Sequence, residues 1–214
     1  MALGLTSREL KLLRALSTPA KVQDFLNRIP FNDEPDGETC RSPRRVLDSG
    51  VAHCLEGAML AGVAFRLQGR PALLMDLSAT DEDDDHVVTL FGKPGAWGAV
   101  SKTGSSVLRY REPIYRNLRE LALTYFHEYF THAGVKTLRA YSNAVNLSRF
   151  DRLDWITTCE DLWEIANAIV AAPHHSLLTA SQAAHLRKAD TVEIQAGKIL
   201  ERIPPRKKFR GFRA

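Results

Sequence analysis

Residues 51–60 read VAHCLEGAML. A histidine, a cysteine and a glutamate stand where an apolar segment begins. From Cys54 onward, Leu55, Ala58, Met59, Leu60, Ala61, Val63, Ala64, Phe65 and Leu67 fall on more than one helical face. A helix without a clean polar side belongs in the middle of a domain. The stretch therefore predicts a central helix over 54–67, ended by Gly69-Arg70-Pro71. A thiol on the first turn of such a helix is either small buried filler or a nucleophile.

Working toward the N-terminus, Ser42-Pro43 predicts a short helix through Leu47, broken by Gly50. Residues 30–41 carry the turn signals Asn32-Asp33, Pro35 and Asp36-Gly37 and read as a loop. Thr18-Pro19 starts a helix that buries Val22, Phe25, Leu26 and Ile29. Thr6-x-x-Glu9 has capping-box form ahead of Leu10, Leu12, Leu13 and Leu16. Toward the C-terminus, 72–77 reads as a strand and DEDDD (81–85) as a solvated acidic turn. Residues 87–91 and 97–100 read as strands around a Gly92–Gly95 turn. A polar stretch (101–113), a helix over 115–130 and a short strand near 138–141 follow. A helix over 159–170 and a helical region over 180–202 complete the chain. Helices, then strands, then helices predict an α+β fold, with the Cys-bearing helix packed on an antiparallel sheet and helices added at the C-terminus. Residues 1–203 are expected to form one domain, and 204–214 a disordered basic tail.

Composition bounds the setting. The chain has 214 residues, 44% hydrophobic and 25% charged, which is globular composition. Three cysteines, Cys40, Cys54 and Cys159, without CxxC or zinc-finger spacing, argue against a disulfide framework and a structural zinc. MALGLTSREL lacks the apolar run of a signal peptide, and no segment has the ~18 apolar residues of a membrane span. The expectation is a cytoplasmic protein. Of the net charge of +4, six positives (Arg202, Arg206, Lys207, Lys208, Arg210, Arg213) fall after residue 201 with no acid, so residues 1–201 carry −2. A neutral body with a basic tail argues against a nucleic-acid surface across the domain. The tail, RIPPRKKFRGFRA, has the composition to touch an anionic partner: RNA, a membrane surface or an acidic protein.

A cysteine at a helix N-terminus meets free backbone N–H groups and the positive end of the helix dipole, which favour the thiolate. The same N–H groups can hold an oxyanion. His86, at the start of the strand after the acidic turn, is placed to exchange a proton with Cys54. The segment AHCLEGAMLAGVAFRLQGRPALLMDLSATDEDDDHVVTLFGKPGAWGAVSKT (52–103) resembles the core of the transglutaminase-like superfamily: Cys heading a helix, a strand, His opening the next strand, and a further strand ending in an acid. The resemblance covers about a quarter of the chain. It implies a papain-like α+β core and acyl transfer, with Cys54 as nucleophile and His86 as general base and acid. The family's third member is an Asp or Asn about fifteen residues after the His, and Ser101 stands there. A hydroxyl orients an imidazole but carries no charge.

Two functions follow as expectations. The first is a cysteine enzyme hydrolysing or transferring a peptide, amide or small acyl substrate, needing no cofactor or metal. The second is a binding module on the same fold, its chemistry weakened, using the tail or an arginine surface for a partner or nucleic acid. Several further residues read more plainly. Glu56 suits the role of a first-turn carboxylate taking backbone N–H groups, and His53 that of a cap or supporting group. Gln23 is either an oxyanion donor or part of a polar helix face, and Trp97 packs in the core. HEYFTH (127–132) spaces its histidines by five, which does not stack them for a metal. Arg44, Arg45, Arg109, Arg111 and Arg116 serve either an anionic substrate or pairs with the acidic turn.

Overall fold

The structure, a computed structural model, describes residues 2–200. α1 (Ser7–Ala15) opens with the capping box: Thr6 Oγ1 accepts from Glu9 N, and the Glu9 carboxylate accepts from Thr6 N. α2 (Pro19–Leu26) is capped by Thr18. α3 (Pro43–Ser49) is capped by Ser42 and stops at Gly50, whose φ of 74° suits a residue without Cβ. α4 (Cys54–Leu67) has the bounds that its sequence predicts, and every residue from Leu55 to Phe65 is buried.

β1 (Leu73–Ser78), β2 (His86–Lys93), β3 (Ala96–Ser101) and β4 (Arg111–Tyr115) follow as an antiparallel meander. The far side of β1 is shared by two short strands, β5 (Ala140–Ser142) beside Leu77-Ser78 and β6 (Val145–Asn146) beside Leu73-Leu74. β7 (His174–Ser176) pairs with β5. The sheet order is β4-β3-β2-β1-β5-β7, with every ladder antiparallel.

The sheet is covered on both faces, which explains its long apolar runs. Successive side chains alternate across a strand. Leu74, Val87 and Phe91 join α1–α4 in one core, while Met75, Leu77, Val88 and Leu90 join Leu121, Tyr125 and Tyr129 in the other. Each such aliphatic side chain contributes ~1.5–3 kcal/mol on burial. Thr89 Oγ1 donates to the Ala58 carbonyl at 2.8 Å and fixes β2 against α4. The chain is thus α+β, a helix-flanked antiparallel sheet. Among the described residues no helix is long and apolar enough to cross a membrane. The basic tail lies outside the described residues.

Three expectations need correction. The helix over 115–130 is only α5 (Leu118–Leu123), because Arg111–Tyr115 joins the sheet as β4. Beyond Leu123 the amides of Thr124, Tyr125 and Phe126 bond to carbonyls three residues back, a tighter turn that lowers Tyr125 and Tyr129 into the second core. The helix over 159–170 is α6 (Trp163–Val170). Its expected first turn instead zips onto the loop at Cys40, with Leu162 N donating to Cys40 O and Cys40 N to Asp161. Of the helical region expected over 180–202, the described residues hold two short helices, α7 (Ala180–Ala184) and α8 (Thr191–Gly197), separated where Ala189 N bonds Gly134 O.

Candidate active site

Cys54 is the first residue of α4, and the chain reaches it in an extended segment pinned on both sides. Asn32 N donates to Ala52 O at 3.1 Å, and Ala52 N to Pro30 O at 3.2 Å. Glu56, fully buried, anchors the same corner. Its carboxylate accepts from Arg41 N and Thr39 Oγ1, both at 2.9 Å, from His53 N at 3.1 Å and from Asn32 Nδ2 at 3.3 Å. This is the first-turn role that its spacing predicts, extended to tie down the loop before the helix.

His86 opens β2 and is buried. Val88 lies directly opposite Ser101, so His86 and Ser101 are diagonal neighbours on one face of the sheet. His86 Nε2 is 2.6 Å from Ser101 Oγ. The half-buried Cys54 shares one cleft with the imidazoles of His86 and His53, both of which act electrostatically on its thiol. The three residues singled out from the sequence, Cys54, His86 and Ser101, are therefore brought together.

Gln23 is neither on a solvated helix face nor pointed at an oxyanion. It is buried, and its amide grips the backbone of Ser101: Ser101 N donates to Oε1 at 2.9 Å, and Nε2 donates to Ser101 O at 2.8 Å. The side chain thus extends the pairing of β3 at its last residue. His53 is the N-cap of α4, with Nε2 2.9 Å from Thr39 O. No sequence signal marks that carbonyl, because any residue at position 39 supplies one.

The electrostatics favour an ionised thiol. Burial pushes Cys54 up, but hydrogen bonds from His53 and His86, and the charges of both, bring it down to about 5. Burial pulls His53 down, and it is outweighed by the hydrogen bond and charge of Cys54, the charge of Glu56 and the Thr39 carbonyl, which raise it to about 9. Cys40, buried away from such partners, is pushed up to about 12 by burial first and by Glu56 second. Two otherwise similar thiols are separated by what surrounds them.

Cys54, His53 and His86 open into a cleft of about 820 Å³. Its walls include Phe31, Leu108, Tyr129 and Ile194. Asp83, Asp84 and Asp85 also line it, so the acidic turn forms one rim of the cleft. Thr137 Oγ1 donates to Asp83 at 2.6 Å, and Asp85 accepts from Ala79 N at 2.7 Å. Among the described residues no arginine lines the cleft. Arg44, Arg45 and Arg111 pair with Glu9, Asp161 and Glu128, not with the acidic turn. Among the described residues no group of three His, Cys, Asp or Glu side chains is arranged to hold a metal ion. Compared with known proteins, the chain matches no family model and no curated protein.

Proposed function

We propose that this chain is a transglutaminase-like cysteine enzyme that cleaves or transfers an amide-linked acyl group. The observation that carries the reading is the placement of Cys54, at a helix N-terminus, in one open cleft with His86, whose Nε2 meets Ser101. Sγ attacks the carbonyl carbon, and the carbonyl electron pair moves to oxygen, held by backbone N–H at the start of α4. The carbon–nitrogen bond breaks as His86 gives its proton to the leaving nitrogen. Water or an amine then attacks the thioester, losing its proton to His86, and the thiolate leaves. Ser101 orients the ring through Nε2 and leaves Nδ1 for the thiol. The papain-like core belongs to this reading too, supported by the order helix, strand, His-bearing strand and Ser101-bearing strand. Asp33, Glu34, Asp83, Asp84, Asp85 and Glu128 line the cleft, with no Lys or Arg among the described lining residues, which favours a substrate bearing positive charge.

The test is the pH dependence of Cys54 alkylation by iodoacetamide in a Cys40→Ser, Cys159→Ser background. A thiol titrating well below the free-cysteine value of ~8.5, and shifted upward in His86→Ala, supports the enzyme. A slow thiol indifferent to His86 removes the catalytic reading and leaves the binding module, for which the uncharged Ser101 is the supporting observation.

A further inference from the structure

His86 is backed by the uncharged Ser101, yet the imidazole of His53, which lines the same cleft as Cys54, has carboxylates beside it. His53 Nε2 lies 2.9 Å from the Thr39 carbonyl, an acceptor only, so this nitrogen carries a hydrogen. The same nitrogen is 3.6 Å from Glu56 Oε1 and 3.9 Å from Glu34 Oε1. The Glu56 carboxylate is fully buried and already takes two backbone N–H groups, bonds that require it as an acceptor. The remaining nitrogen, Nδ1, is the one available to Cys54, the next residue in the chain and a neighbour in the same cleft.

We propose that His53 is a second catalytic residue, a standing imidazolium that donates a hydrogen bond to the Cys54 thiolate and is itself held by Thr39 O and Glu56. This inference rests on the proposed cysteine chemistry and adds to it. His86 exchanges protons with substrate and thiol, while His53 keeps its proton throughout and supplies fixed positive charge. The negative charge missing at Ser101 is then not needed on that side, because the thiolate is stabilised by a cation that another carboxylate supports. An imidazolium has no acceptor to offer the helix end, where an alcohol or amide side chain would be the better cap, but neither of those would bring charge to the sulfur.

The experiment compares His53→Asn, His86→Ala and the double variant in the Cys40→Ser, Cys159→Ser background, reading the pH profile of alkylation by iodoacetamide. Asparagine is a good N-cap, so the helix start is retained, and circular dichroism checks the fold. The expected result is an upward shift of at least about one pH unit in His53→Asn, with the double variant near the free-thiol value of ~8.5. A shift in His86→Ala with none in His53→Asn overturns this inference and leaves the proposed function standing. No shift in either variant overturns both. An independent readout on the unmodified site is the ¹⁵N spectrum of the His53 ring at neutral pH. Two protonated nitrogens are expected, and a neutral ring overturns the proposal without recourse to a variant.

Discussion

Replacing Gly57 by alanine tests the packing that sets the site. In the interior of a helix, Gly→Ala ordinarily stabilises by ~1 kcal/mol. Here the sign reverses. A Cβ on Gly57 would lie 2.4 Å from Lys102 Cβ and 2.9 Å from its Cγ, where ordinary contact begins near 3.4 Å. The gap must open by about 1 Å, the difference between 3.4 and 2.4 Å. Lys102 Cβ is fixed to its backbone and the residue is buried, so the movement falls on the end of β3 against α4. Overpacking of this kind costs ~1–3 kcal/mol, and a clash with a Cβ, which no rotamer change can move, belongs at the upper end. After the helical gain, the net loss is about 2 kcal/mol. Urea unfolding followed by circular dichroism measures it. Gly62→Ala is the internal comparison, because its Cβ meets Ala72 Cβ and Leu147 Cδ1 at 3.1 Å, which a few tenths of an ångström relieve. Lys102 follows Ser101, so Gly57→Ala should also slow Cys54 alkylation, and Gly62→Ala should not. A Gly57→Ala protein as stable as the parent would refute the argument.

Two further outcomes follow from the site and its surroundings. Ser101→Ala removes the oxygen 2.6 Å from His86 Nε2, a buried hydrogen bond worth about 1 kcal/mol. Alkylation at neutral pH should slow by about fivefold, and Ser101→Asp should recover it; equal rates in all three proteins would show that the hydroxyl does not orient the ring. Asp76, buried on β1, is raised to about 6 from 3.8, first by desolvation, against the opposing hydrogen bond of His174 at 3.0 Å. The native state therefore holds this proton more tightly than the unfolded chain, and the stability so gained is complete below about pH 4 and lost as pH rises through 6. Asp76→Asn cannot ionise, so its stability relative to the parent should climb by roughly 2–3 kcal/mol between pH 4 and 7.5 in urea titrations. A pH-independent difference would mean that Asp76 is not the group responsible.

The legible parts of the sequence were those decided by neighbours along the chain. The capping residues Thr6, Thr18 and Ser42 and the all-round apolar face of 54–67 set helix positions locally, and the structure has them there. Cys54, His86 and Ser101 could be singled out because each sits at the end of an element, and the register of β2 with β3 brings the last two together. What escaped reading depends on distant partners. Tyr125 and Tyr129 leave a helical path to fill the far core, Arg111–Tyr115 becomes a strand because β3 has an open edge, and Gln23 meets Ser101 across 78 residues. The Thr39 carbonyl that holds His53 belongs to a loop whose sequence carries no mark of it.

The two ends of the sheet have a consequence for the protein in concentrated solution. Strands such as HVVTLFGK would be hazardous if they lay at a boundary, where unpaired amides recruit other chains. They lie instead in the interior of the order, and the boundaries fall to β4, β7 and the two-residue β6. β7 is three residues long, and β4 has Pro113 at its middle and an irregular register against β3. Neither offers the long regular row of donors and acceptors that fibril growth copies. Even with Ile114 exposed on β4, HVVTLFGK stays two strands away from β4, and the outer side of β1 is covered by β5 and β6.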